Sequence, residues 1–248
     1  MRVCCVVQAR CNSERLPGKV LLPLGGQPVV ERVLRAVLSA RLISDVILAT
    51  TTNESDGPLA RVTERCGVRL FRGSEQDVLG RFVAALAGND AEAVVRVTAD
   101  DPLLDPQVID KVIQRYLESP VDYASNILER SWPRGVDTEV ISREALERSN
   151  REATLEEHRE HVTIFARTRG DLFRLLNVTA PKEETWPELR LCIDTAEDYE
   201  MIRQIFLALS FDPTRPGIGE IVRWLRAHPE VASVNAGIVQ KSVFGRQF

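Results

Sequence analysis

Two hydrophobic patterns take turns along the first 120 residues of the chain. Residues 3–9 open with a continuous apolar run, Val3-Cys4-Cys5-Val6-Val7, as expected of a strand buried on both faces. Over 28–41, Val30, Val33, Leu34, Val37 and Leu38 fall at helical spacing. Val46–Thr50 reads as a second strand, 57–66 as a helix, 68–71 as a short strand and 77–88 as a helix. Ala93–Thr98 is another buried strand, and Pro106 opens a helix reaching about residue 118, a position that suits proline. Repeated β-α-β units predict an α/β fold: a mostly parallel, twisted sheet with helices on both faces and ligands bound beyond the carboxyl ends of its strands.

The pattern changes after residue 120. Strands are predicted over 121–125 and 136–141, joined by a polar loop with Trp132-Pro133-Arg134-Gly135. A charged helix over 154–169, strands near 172–178 and 189–193, and helices near 196–208 and 217–227 follow. There are no repeats and no low-complexity linker, so 1–248 reads as a single domain. Residues 121–190 read as an inserted α+β flap or dimerisation arm.

Composition narrows the class. The chain is 44% hydrophobic and 27% charged, ordinary for a soluble globular protein, and lacks the roughly 18-residue apolar stretch of a membrane helix. The net charge of −4 provides no global basic footprint for nucleic acid, although an anionic small substrate remains compatible with local positive charge. The five cysteines (4, 5, 11, 66 and 192) form no CxxC pair, which argues against a zinc cluster or disulfide framework and suits a reducing cytoplasm. Cys4, Cys5 and Cys192 lie in apolar runs and read as core. Cys11 lies beside Arg10 in a polar loop, with no nearby histidine to activate it.

The most informative segment is Gln8-Ala9-Arg10-Cys11-Asn12-Ser13-Glu14-Arg15-Leu16-Pro17-Gly18-Lys19, directly after the first strand. Arg10, Arg15 and Lys19 fall within ten residues, opposed only by Glu14. Ala9 before them, and small and turn-forming residues between them, Ser13 included, let backbone N–H groups point inward. Amide donors, forked guanidinium groups and a point charge together suit a triphosphate. The loop is neither a Walker loop, since Val20 follows Gly18-Lys19, nor a G-x-G-x-x-G dinucleotide turn.

This loop resembles the signature loop of the sugar nucleotidyltransferases. It is most similar to the cytidylyltransferases that activate acidic sugars, including the SpsF-like group of spore-coat polysaccharide synthesis. Val20–Pro28, Phe71–Leu79, Thr98–Pro106, Pro133–Asp137, Glu160–Thr163 and Ile193–Asp198 also look like that family, in order along most of the chain. The resemblance implies transfer of CMP from CTP to an acidic sugar or phosphonate, with release of pyrophosphate. It also implies a homodimer built through the inserted region.

Asp100 and Asp194 each end an apolar strand-like run, and such carboxylates suit Mg²⁺, which takes a few of them together with phosphate oxygens and water. The resemblance makes Asp100 the main metal ligand and Asp194 its partner. Each has a structural alternative: Asp100 as a helix or turn cap, Asp194 as part of the Thr195–Asp198 capping box. Asp101 departs from the family, where cysteine is usual. Arg10, Arg15 and Lys19 would hold the β- and γ-phosphates. Gln8 and Ser74 stand where the family's base-binding segments lie, although Ser74 also reads as a turn residue after Gly73. For the acceptor, Arg134 supplies a bidentate cation, with Asp137 and Glu139 on one strand face and His161 on the next helix. Arg134 could instead be a surface charge, and His161 a structural histidine packed beside Val162, Phe165 and Ala166. No general base is evident. Two other functions fit a similar sheet: a metal-dependent glycosyltransferase, which would not need three cations on the first loop, and a non-catalytic nucleotide-binding protein.

Overall fold

The computed structural model describes residues 1–209 and 216–240. Its first half follows the alternation. β1 (Val3–Gln8) leads through the cationic loop to a small hairpin, β2 (Pro23–Leu24) and β3 (Gln27–Pro28), and then α1 (Val29–Leu38). β4 (Asp45–Thr51), α2 (Pro58–Cys66), β5 (Arg69–Gly73), α3 (Val78–Ala85), β6 (Ala93–Thr98) and α4 (Pro106–Leu117) complete it. Asp105 caps α4 by accepting from the Gln107 amide, and Asp77 caps α3 by accepting from that of Gly80.

The second half extends the same sheet. It contributes β7 (Tyr123–Ser125), β8 (Glu139–Ser142), α5 (Arg143–Glu152), α6 (Glu156–Glu160), α7 (Ile164–Arg167) and β9 (Leu175–Asn177). α8 (Ala196–Ala208), α9 (Ile218–Ala227) and α10 (Pro229–Ala232) follow. The described residues form a seven-stranded sheet in the order β5-β4-β1-β6-β8-β7-β9. β5, β4, β1 and β6 pair in parallel, β8 is antiparallel to both β6 and β7, and β9 is parallel to β7. The chain runs outward from β1 to β5 and then crosses to β6 on the other side of β1. The carboxyl ends of β1 and β6 are therefore the switch point where such sheets bind ligands.

Strand alternation divides the core. Cys5 and Val7 pack with α1, α2 and α4, whereas Cys4 and Val6 pack with α3, α5 and α7. A third cluster joins α8 and α9 to Leu103, Trp132, Val136, Leu191 and Ile193 behind the carboxyl end of the sheet. Among the described residues, no helix is long and apolar enough to cross a membrane.

Several elements differ from their sequence patterns. The single helix expected over 154–169 is broken into α6 and α7 at Val162, whose backbone φ is 47°. The fully buried Val162 side chain and a Thr163–Glu139 hydrogen bond hold this turn, so tertiary contacts override the helical pattern. α5 escapes the periodicity because it buries only Ala145, Leu146 and Ser149; its one local signal is the Ser142 cap. Residues 189–193 form no strand. They run beside 134–136 through one bridge, with Arg134 N–H donating to Leu189 O at 2.9 Å and Leu191 N–H to Arg134 O at 2.7 Å.

That close approach depends on Gly135. Its φ is +105°, and an added Cβ would lie 2.5 Å from the Leu191 carbonyl carbon and oxygen. Gly135→Ala should cost at least about 2 kcal/mol in urea unfolding, since the conformation is strained and backbone cannot yield as a side-chain tip can. An unchanged midpoint would mean that the two segments do not meet in this way.

Candidate active site

The first loop is tethered before it reaches any ligand. The Cys11 amide donates to buried Asp56 at 2.7 Å, and Asp56 also accepts from the hydroxyls of Thr50 and Thr51 and from the Thr51 amide. Burial alone would raise the Asp56 carboxyl, but these hydrogen bonds, from Thr51 first, hold it below its ordinary range. Burial and Asp56 push the Cys11 thiol up to about 12, so it remains protonated and is no nucleophile. Further on, the amides of Ser13 and Gly18 both donate to Cys11 O, at 3.0 and 2.9 Å, folding the loop back on itself. Gly18, at φ 72°, then turns the chain into a single 3-10 turn over Lys19–Leu21, which buries Lys19.

Lys19 is the centre of the site. Its Nζ donates to Asp100 Oδ2 at 2.5 Å and to Asp194 Oδ1 at 2.8 Å. Arg15 and Arg190 reach the other oxygen of Asp194, at 3.0 and 3.2 Å. Burial by itself would lower the Lys19 pKa, but the two carboxylates more than offset it and raise it. Burial likewise works against the Asp194 carboxylate, yet Lys19 and Arg15 bring its pKa down to about 2. At Lys19 the basic loop thus joins a partly buried ion network, while Arg10 stays exposed. Thr195 and Asp198 form the capping box of α8, leaving the Asp194 side chain to the cavity.

These groups line one cavity of about 560 Å³. Gln8, Ala9, Arg10, Ser13, Arg15, Lys19, Asp100, Arg134, Asp137, His161 and Asp194 all reach it from the predicted set. Arg10 lies 3.8 Å from Glu75, just beyond β5. The Arg134 guanidinium has no ion-pair partner among the described residues; burial and the neighbouring Arg130 lower its pKa. Asp137 is engaged at both oxygens by Arg130, each at 2.8 Å, so its carboxylate is largely committed within the protein. His161 is not on a helix but in the turn between α6 and α7. Burial lowers its pKa, Glu160 opposes, and Arg96 and Arg167 reinforce the lowering, which keeps the ring neutral at neutral pH.

Two predicted residues do not reach the cavity. Ser74 makes a local turn, its hydroxyl accepting from the Asp77 amide at 3.0 Å, in keeping with the turn alternative. Glu139, 1% exposed, points into the protein, where it pairs with Arg96 and accepts from Tyr123 Oη and Thr163 Oγ1, each at 2.5 Å. Asp137 and Glu139 were expected to share a strand face, but β8 begins only at Glu139. Asp101 is buried and accepts from Thr98 Oγ1 at 2.7 Å; burial, with Asp100 and Asp137 nearby, raises its carboxyl well above the usual range. Asp56, Arg96, Arg130 and Arg190 were missed. Asp56 and Arg96 find partners far along the chain, Cys11 at 45 residues and Glu139 at 43, whereas Arg130 and Arg190 pair within eight residues, with Asp137 and with Asp194 and Asp198, at spacings that a turn or loop must close.

Among the described residues, no three or more His, Cys, Asp or Glu side chains form a ready metal cage. Asp100 and Asp194 nevertheless converge on one cationic point, the Lys19 ammonium. A pair of carboxylates fits a cation such as Mg²⁺ that takes the rest of its shell from phosphate and water.

Comparison with known proteins agrees with this architecture. Residues 4–220 match the family model described as cytidylyltransferase. The spore coat polysaccharide biosynthesis protein SpsF of Bacillus subtilis is 34% identical over 235 residues, covering 92% of this chain and 95% of SpsF. A 3-deoxy-manno-octulosonate cytidylyltransferase of Trichlorobacter lovleyi is 33% identical over 122 residues, 48% of this chain and 47% of its own length. The solved structure of a cytidylyltransferase from Leptospira borgpetersenii superposes with a TM-score of 0.89 at 26% identity, over 97% of this chain and all of that one. The matched residues include the β1 loop, Asp100 and Asp194, and the chain belongs to the cytidylyltransferase family of nucleotidyltransferases.

Proposed function

We propose that this enzyme uses Mg²⁺ and CTP to transfer CMP to an acidic sugar or related acid, releasing pyrophosphate. The observation that carries the reading is the distribution of charge in one cavity. Arg15 and Lys19 of the first loop meet the carboxylates of Asp100 and Asp194, while Arg134, whose guanidinium has no ion-pair partner among the described residues, enters from the segment leading into β8. The names of the relatives point to the same chemistry: one acts on 3-deoxy-manno-octulosonate, another in making a coat polysaccharide.

An acceptor hydroxyl oxygen forms a bond to the α-phosphorus as the bond from that phosphorus to the oxygen bridging the β-phosphate breaks; pyrophosphate leaves with that oxygen, and the hydroxyl proton passes to solvent. Arg10, Arg15 and Lys19 bind the departing phosphates, with the backbone at Ala9 and Ser13 beside them. Asp100 and Asp194 would hold Mg²⁺, which neutralises phosphate charge when bound. Arg134 receives the carboxylate or phosphonate of the acceptor with a planar fork that lysine lacks. His161 lies at the same end as a neutral hydrogen-bonding group.

Three measurements test this. Asp100→Asn should lower turnover on the order of 10²-fold or more, EDTA should mimic it, and Mg²⁺ should reverse the EDTA effect; full activity in EDTA excludes the metal. Arg15→Ala should weaken CTP binding in a calorimetric titration far more than CMP binding, and equal losses would remove Arg15 from the pyrophosphate end. Arg134→Lys should raise the acceptor KM roughly ten- to a hundredfold in a pyrophosphate-release assay, because a charge-assisted bidentate contact is lost, with CTP affinity unchanged. Wild-type acceptor kinetics in that variant would move the acceptor anion elsewhere.

A further inference from the structure

After α10 the chain returns to the active site. Val231 of α10 and Val234 beyond it pack in the cluster that joins α8 and α9. Tight turns follow, with the Ala236 amide donating to Ser233 O at 3.2 Å and the Ile238 amide to Asn235 O at 3.0 Å. They bring Asn235 to the start of α8 and Gln240 to the wall of the cavity. Both residues lie beyond 4–220, the part of the chain matched by the family model.

Asn235 is 2% exposed and spends both amide hydrogens inside the protein. Its Nδ2 donates to Asp198 Oδ1 at 2.8 Å and to Arg190 O at 3.1 Å. The fully buried Asp198 does more than close the capping box of α8. It accepts from the Asp194 amide at 3.0 Å, and it receives the Arg190 guanidinium at both oxygens, at 3.3 and 3.1 Å. Arg190 in turn donates to Asp194 Oδ2 at 3.2 Å, and its Nη1 donates to Gln240 Oε1. Asp194 is therefore held twice, through its backbone by Asp198 and through its side chain by Arg190. Residues 235–240 grip Arg190 at both ends, its carbonyl through Asn235 and its guanidinium through Gln240.

The three cations on Asp194 differ in kind. Lys19 and Arg15 come from the first loop, where substrate phosphates would draw on them. Arg190, 7% exposed, has every guanidinium nitrogen bonded within the protein, so it stays on Asp194 when phosphate enters. A carboxylate that binds a metal needs such a fixed outer partner to keep its lone pairs aimed. We propose that Asn235 and Gln240 are positioning residues that lock Arg190 against Asp194 and so set the direction of this carboxylate toward Mg²⁺. The assignment rests on the Mg²⁺ reading and adds to it two residues from outside the matched segment.

The test compares CTP affinity by calorimetry in Mg²⁺ and in EDTA, for the wild type, Asn235→Leu, Gln240→Ala and Asp194→Asn. Asn235→Leu removes both donors at nearly the same shape, and Gln240→Ala takes an acceptor from Arg190 at an exposed position. Mg²⁺ should tighten CTP binding by the wild type but not by Asp194→Asn. Asn235→Leu should cut that tightening roughly tenfold or more, as losing the outer partner of a metal ligand does, with affinity in EDTA at the wild-type value. Gln240→Ala should reduce it in the same direction. A lower melting temperature with full tightening in Asn235→Leu makes the residue structural only and overturns the proposal. An equal loss of affinity in EDTA also overturns it, because the effect is then on the nucleotide and not on the metal. If Asn235→Leu does not fold, Gln240→Ala decides: reduced tightening supports the proposal and wild-type tightening overturns it. Equal tightening in the wild type and Asp194→Asn removes the metal from Asp194, and the Mg²⁺ reading then fails together with the positioning role.

Discussion

The Lys19 ammonium between Asp100 and Asp194 ties together segments as far as 175 residues apart in the chain. It brings the loop after β1, the loop after β6 and the segment before α8 to one point, and the cavity exists because these three meet. The network also sets the charge state of the site. Without Lys19, two partly buried carboxylates would face each other, and breaking such a pair typically costs about 3–5 kcal/mol. With it, Asp194 stays ionised to about pH 2, because burial is outweighed by Lys19 and Arg15. The cationic segment that stands out in the sequence is therefore also structural, since its Lys19 and Arg15 hold the cavity's acidic residues together.

A second buried network lies beside the first. Glu139 collects Arg96, Tyr123 and Thr163, and so joins β6, β7 and β8 to the turn at Val162. Burial alone would raise the Glu139 carboxyl, but Arg96 and Arg167, with the two hydroxyls, hold it below its ordinary range. A left-handed backbone at a β-branched residue is unfavourable by about 1–3 kcal/mol and persists only where its surroundings over-determine it. Here the fully buried Val162 side chain and the Thr163 hydrogen bond supply that constraint. The result is a histidine presented to the cavity from a turn, where an unbroken helix would have carried it differently.

Much of this was legible in the sequence, for a physical reason. Periodicity reports burial directly, so the alternation from β1 to α4 followed from the apolar pattern, and a parallel sheet with a switch point followed from the alternation. The loop from Gln8 to Lys19 was readable because its chemistry is local: cations, small residues and a Pro-Gly turn lie within one short segment. The position of Asp100 and Asp194 on the cavity was readable because each ends an apolar run. α5 was not, since a helix that buries few residues leaves almost no apolar period.

Tertiary structure alone decided which polar groups face the ligand and which face one another. Ser74 and Glu139 have the right residue types in plausible places, yet one closes a turn and the other anchors a buried network. Asp56 and Arg96 carry no local mark of their roles, because Cys11 and Glu139 lie 45 and 43 residues away from them. A side chain's type and local period determine whether it can be buried and what bonds it can make. Which partner it finds depends on strand order and on loops closing across the sheet, and those contacts join residues that no window of sequence contains.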